Sequence, residues 1–210
     1  MNNPPPPPPL ASQYDDANVY LQSIKQYMVE SSWSDEFYWN HGVSLAAVGK
    51  YAEAEEALLR VRSPSLTSDA TFVSWLARCH VMCRRGRAAW ELYLRAAEDG
   101  SGPAALSLLR LLAGDCFATG QFFVAALAYD SLERHFSGGG EGAEEAWAGK
   151  AAACAGVLHA VASGAEAREC LREVHAMLVA SAGAAPLGST VHVQGEALAR
   201  AIQKWAASQK

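Results

Sequence analysis

The chain has 210 residues, of which 50% are hydrophobic and 19% charged, with a formal net charge of −5. That is enough apolar material for one packed domain or one compact array, and too little charge for a disordered chain. The acidic balance and the lack of a basic stripe argue against nucleic acid as a partner. No run of about 18 apolar residues offers itself for membrane insertion.

In chain order, residues 1–13 read as a disordered proline-rich tail. The six consecutive prolines Pro4 to Pro9 favour an extended polyproline helix, a shape that docks into aromatic-lined grooves. Prolines stand where a signal peptide would carry its apolar core. Residues 14–208 read as an array of helices. Its first element is a helix over Asp15 to Glu30, with Val19, Tyr20, Ile24, Tyr27 and Met28 on one side and Asp15 or Asp16 as its N-cap. It looks like the second helix of a hairpin whose first is missing. That oddity predicts the C-terminal portion of a longer array.

The next segments repeat. A tetratricopeptide repeat is a helix-turn-helix of about 34 residues with large, small, turn, Ala and aromatic positions at fixed offsets. Residues 35–61 fit with Tyr38, Gly42, Leu45, the turn Gly49-Lys50-Tyr51, then Ala54 and Leu58. Residues 69–95 fit with Val73, Leu76, Ala77 and His80, a hinge at Arg84-Arg85-Gly86-Arg87, then Ala89 and Tyr93. Residues 104–133 fit with Leu109, Leu112, Ala113 and Cys116, the turn Gly120-Gln121-Phe122, then Ala125 and Tyr129. The second-helix alanines 54, 89 and 125 are 35 and 36 residues apart, in phase with the expected period.

A degenerate unit spans residues 144–180. Trp147 takes its large position, Ala151 its small one, and Cys154 follows. Its turn comes late, at Ser163-Gly164, and Ala167 and Leu171 would begin its second helix. Ala182 to Gly188 reads as a linker. The last helix, over 190–208, carries Val191, Leu198, Ile202 and Trp205 on one face, as a capping helix requires. The glycines in 137–142 read as a loop, since no strand precedes them and no Gly-Lys-Ser/Thr follows. The fold expected is an all-α, right-handed solenoid of helical hairpins.

Chemistry is sparse. The odd set of five cysteines at 79, 83, 116, 154 and 170 has no Cys-x-x-Cys pair, so small reduced thiols in an intracellular protein are expected. Cys79, His80 and Cys83 lack the further ligands that zinc needs. The six histidines are scattered, no serine sits in a nucleophile elbow, and Glu53, Glu55 and Glu56 read as a solvated face. We therefore expect no catalytic residue, no metal and no cofactor. Helical arrays bind partners on the surface lined by their first helices. In register, those positions are Trp39, Val43, Arg78, Met82, Arg110 and Phe117. The Lys and Asn positions with which co-chaperone arrays grip a terminal carboxylate hold Trp39, Val43, Trp75, Ser107 and Leu111 here, which argues against that class.

Beyond the period, specific words are familiar. Ser74-Trp75-Leu76-Ala77-Arg78-Cys79, Ala89-Trp90-Glu91-Leu92-Tyr93-Leu94 and Leu111-Leu112-Ala113-Gly114-Asp115-Cys116 come in order. Leu132-Glu133-Arg134, Trp147-Ala148-Gly149-Lys150, Leu171-Arg172-Glu173-Val174 and Lys204-Trp205-Ala206 follow. Together they resemble the C-terminal half of the intraflagellar transport protein fifty-six family, the tetratricopeptide subunit of intraflagellar transport complex B. The resemblance implies a non-enzymatic interaction scaffold in the cilium or flagellum, its basal body and the cytoplasm. Its implied partners are other complex B subunits and ciliary cargo, notably proteins needed for motility. The alternative from the residues alone is a cytosolic adaptor that recruits partners through its polyproline tail.

Overall fold

The computed structural model describes residues 10–28, 33–98, 102–136 and 141–209. The proline tail through Pro9 and most of the glycine-rich loop lie outside the described residues. Among those described there are eleven helices and no strand. None is long and apolar enough to cross a membrane. The chain forms two compact units, Met1–Leu92 and Tyr93–Lys210.

The first unit begins with α1 (Leu10–Met28), α2 (Ser34–Ala47) and α3 (Tyr51–Leu58). A single turn, α4 (Pro64–Thr67), leads into α5 (Ala70–Met82) and then α6 (Gly86–Glu98), which enters the second unit. The pair α2–α3 is a close hairpin because Gly42 has no side chain. A Cβ there would lie 2.6 Å from Leu58 Cγ and 3.2 Å from the Ala54 carbonyl oxygen. Around that contact Phe37, Tyr38, Leu45, Ala54, Leu58, Phe72 and Leu76 form one buried cluster. Each large apolar member contributes about 1.5–3 kcal/mol by leaving water. Asp35 ties the hairpin to the chain beyond it, accepting the N–H groups of Arg62 at 3.2 Å and Ser63 at 2.6 Å.

Helix α1 starts at Leu10, so Asp15 and Asp16 lie inside it and do not cap it. Its apolar face also divides. Leu21, Ile24 and Met28 pack against the core, while Val19, Tyr20 and Tyr27 are exposed one stripe further round. The Asn18 amide donates to the Ser44 carbonyl at 3.1 Å, fixing which stripe faces α2. True side-chain caps occur elsewhere: Asp69 accepts from Thr71 and Phe72 at the start of α5.

The second unit holds α7 (Gly102–Ala118), α8 (Phe122–His135), α9 (Glu141–Ala162), α10 (Cys170–Ala184) and α11 (Thr190–Ser208), whose start Ser189 caps. Consecutive helices pack as pairs, and α11 also rests on α9. Leu108, Leu112, Ala125, Val157, Val174, Leu178 and Ile202 are among its buried residues.

Four helices end in the same way. After α2, α5, α7 and α9 the residue closing the helix has positive φ: Gly49 at 82°, Arg84 at 63°, Gly120 at 73° and Gly164 at 78°. Its N–H reaches back to Ala46, Val81, Phe117 and Val161 respectively. The following N–H reaches Leu45, His80, Cys116 and Ala160. This paired closure satisfies the last carbonyls and favours glycine, which meets no Cβ penalty there. The second hinge thus turns on Arg84, whereas Gly86 is buried at the start of α6.

Residues 144–180, expected as a degenerate repeat, differ from expectation at the small position. Ala151 is only half-buried. The close approaches of α9 fall at Gly149, against the ring of Tyr129, and at Gly156, where a Cβ would lie 2.5 Å from Phe122. With 22 residues, α9 is longer than the helices before it, which carries its turn late. Ala167 precedes α10 and is exposed, and α10 continues through Ala184 into the expected linker.

Candidate interaction surface and buried charge

The six positions expected to meet a partner fall in both units. In the first, Trp39 and Val43 are one turn apart on α2, and Arg78 and Met82 one turn apart on α5. All four are half-buried. The two helices touch through Trp39, whose ring stands edge-on to Phe72 with centroids 6.1 Å apart. In the second unit Arg110 and Phe117 lie two turns apart on α7, both exposed. The Arg110 guanidinium sits 5.5 Å from the centre of the Phe136 ring. Phe117 stands edge-on to Phe122 and Tyr129. At these positions α2 presents an indole and an aliphatic group, α5 a guanidinium and a thioether, and α7 a guanidinium and a phenyl ring.

Charge inside the molecule lies where the sequence reading placed none. Glu55 belongs to the expected solvated run but is 1% exposed. Its carboxylate pairs with Nδ1 of His80 and with the guanidinium of Arg85. His80 is thus more than a polar residue tolerated in packing: it joins α5 to α3. By the 35-residue step it stands in the slot that Leu45 fills one repeat earlier.

Lys150 is the second case, with none of its surface exposed. Its Nζ donates to Asp130 Oδ1 at 2.7 Å, Glu133 Oε2 at 2.6 Å and Ser181 Oγ at 2.5 Å. The Ser181 hydroxyl in turn donates to Glu133 Oε2 at 2.9 Å. One ammonium thereby joins α8, α9 and α10. Beside it the Trp147 indole N–H donates to Gln194 Oε1 at 3.1 Å and brings in α11. Removing a charge from water costs several kcal/mol, so such a group persists only when its donors are all matched, as here. A signal existed in the sequence. Trp147, Lys150, Cys154, Val157 and Val161 are spaced three and four apart, which puts the lysine on the buried face.

Burial also governs the thiols and His41. The thiols of Cys79, Cys116 and Cys154 are pushed up to about 12, with burial the largest cause in each. Burial raises Cys83 as well. All five cysteines are free thiols. His41 is held below the usual histidine range, first by burial and then by the charge of Lys25, with Glu53 opposing. Among the described residues no three His, Cys, Asp or Glu side chains come together where they could hold a metal ion.

Paired helices, small residues at the crossings and a repeated turn define an array of tetratricopeptide-type hairpins. A family model described as intraflagellar transport protein 56 matches residues 9–210, and the chain belongs to that family. It is 29% identical over 154 residues to a protein of Caenorhabditis elegans named intraflagellar transport protein 56 homolog. That match covers 73% of this chain and 25% of the worm protein, so the chain spans a fraction of its relative's length. No solved structure matches.

Proposed function

We propose that this chain is a non-enzymatic interaction scaffold of intraflagellar transport complex B. In this reading it supports assembly of the transport particle and delivery of motility-related cargo into cilia or flagella. The family match over residues 9–210 carries the reading. We divide the array into repeats at 35–61, 69–95, 104–133 and 144–180, with a capping helix at 190–208. Partners are other complex B subunits and ciliary cargo, met on the first-helix stripes of Trp39, Val43, Arg78, Met82, Arg110 and Phe117. The reading also places the protein in the cilium or flagellum, at the basal body and in the cytoplasm. Its titratable groups favour a scaffold over a catalyst: the histidine and carboxylate that meet inside the first unit are closed from solvent, and the carboxylate is also bound to Arg85.

The test is affinity capture of the tagged 210-residue chain from ciliary or flagellar extract, read by mass spectrometry. Complex B subunits are expected in the eluate, and Trp39→Ala, Arg78→Glu and Arg110→Glu are expected to deplete them selectively. An eluate without those subunits, from a chain that is helical and melts cooperatively, contradicts the reading.

A further inference from the structure

We propose that the groove between α10 and α11 docks an acidic peptide segment of a partner protein, anchored by one large apolar side chain. The groove has a volume of about 390 Å³, with Leu171, Ile202 and Trp205 as its floor and Arg168, Arg172 and His175 along one side. Leu171 and Ile202 belong to the core, while the Trp205 ring is only half-buried and keeps a free face. A space of this size holds one or two side chains and not a folded domain.

Charge selects the occupant. Arg168, in the turn before α10, and Arg172, in its first turn, are four residues apart and both exposed. Neither guanidinium pairs with a carboxylate among the described residues. The Arg168 head lies 5.9 Å from the centre of the Trp205 ring, so aromatic stacking holds it at the groove. Like charges at this spacing repel. The neighbouring acids, Glu169 at the N-cap of α10 and Glu173 in its first turn, do not line the groove. His175 accepts the amide N–H of Gln203 at 2.8 Å, which fixes the groove wall between the two helices. A chain with net charge −5 thus carries an uncompensated cationic rim over an apolar floor. The complement is a segment of Asp or Glu flanking a Leu or Phe. Carboxylates meet the guanidinium forks in pairs, and the apolar side chain covers the indole.

The probe is a short fluorescein-labelled peptide alternating Glu and Leu, titrated into the whole chain by anisotropy. Binding is expected to saturate, to weaken with added salt, and to fall roughly tenfold or more in Arg168→Ala/Arg172→Ala, which removes two charge-assisted contacts. The matching Lys-Leu peptide should not bind. The control Arg134→Ala/Arg200→Ala changes two arginines outside the groove and should bind as the parent does. Both groove arginines are exposed and neither has an ion pair, so circular dichroism should not change and melting should change little. If the double alanine variant melts differently, Arg168→Lys/Arg172→Lys decides: it keeps the charge, loses the forks and should bind at an intermediate level. Equal binding by the parent and the alanine variant overturns the proposal. So does equally tight binding of an all-Glu peptide or an oligonucleotide, which would make the groove a general anion patch.

Discussion

Gly42 and Gly114 are both helical glycines, and the structure gives them opposite roles. A methyl group on Gly42 would collide with Leu58 and crowd the Ala54 carbonyl, whereas nothing lies within 4 Å of one on Gly114. Gly42→Ala is expected to cost about 1–3 kcal/mol by overpacking. Gly114→Ala should add about 0.5–1 kcal/mol by stiffening the unfolded chain and favouring helix. Thermal melting of the two variants should therefore shift in opposite directions; shifts of the same sign would mean that α2 and α3 do not meet at Gly42. Arg84 poses the converse test. It holds a left-handed backbone that costs an L-residue about 1–2 kcal/mol, at a place where the three other turns have glycine. After the entropy a glycine loses on folding, Arg84→Gly should be more stable by about 0.5–1 kcal/mol in chemical denaturation. His41 sets a pH dependence. Its folded pKa is lowered, so the unfolded chain takes up the proton first as pH falls. The contribution is nil above about pH 6.5 and turns destabilising below it. His41→Gln should flatten the acid side of the stability curve, and an unchanged slope would show that His41 is not the group responsible.

Among the elements, α9 carries the most. It meets α8, α10 and α11, and its Lys150 binds acids and a hydroxyl from two of them. Lys150→Met leaves Glu133 without its cation and Asp130 with only the exposed Arg134. It should cost about 3 kcal/mol, the low end for breaking a buried pair, because both carboxylates reach some solvent. Adding Glu133→Gln to Lys150→Met should recover part of that loss, and strictly additive effects would mean that the two do not interact. The helices themselves were legible from the sequence because their signals are local. The alanines at 54, 89 and 125 repeat in phase, and all three are fully buried. The pairing of Glu55 with His80 and of Lys150 with Asp130 was not legible, because burial of a charge depends on what other helices bring to it. Only the spacing of Lys150 among apolar residues hinted at it. The same limit explains α1, where pattern alone could not say which of two adjacent apolar stripes would meet α2.

For the whole molecule, the surface stripes and the groove between α10 and α11 were unequally visible. Trp39, Val43, Arg78 and Met82 follow from repeat register, and the contact of Trp39 with Phe72 brings α2 and α5 together. The groove depends on how two helices after the irregular fourth turn lie side by side, which no period encodes. The ordered words running from Ser74 to Ala206 pointed to the family, and the match over residues 9–210 agrees with them. The proposed place of this chain on a moving transport particle is tested most directly by live imaging of a fluorescently tagged copy in flagellated cells, beside a tagged complex B subunit. The account predicts that the two signals travel together along the axoneme in processive runs. A folded chain that enters the flagellum only by diffusion, never moving with the complex B signal, would contradict it.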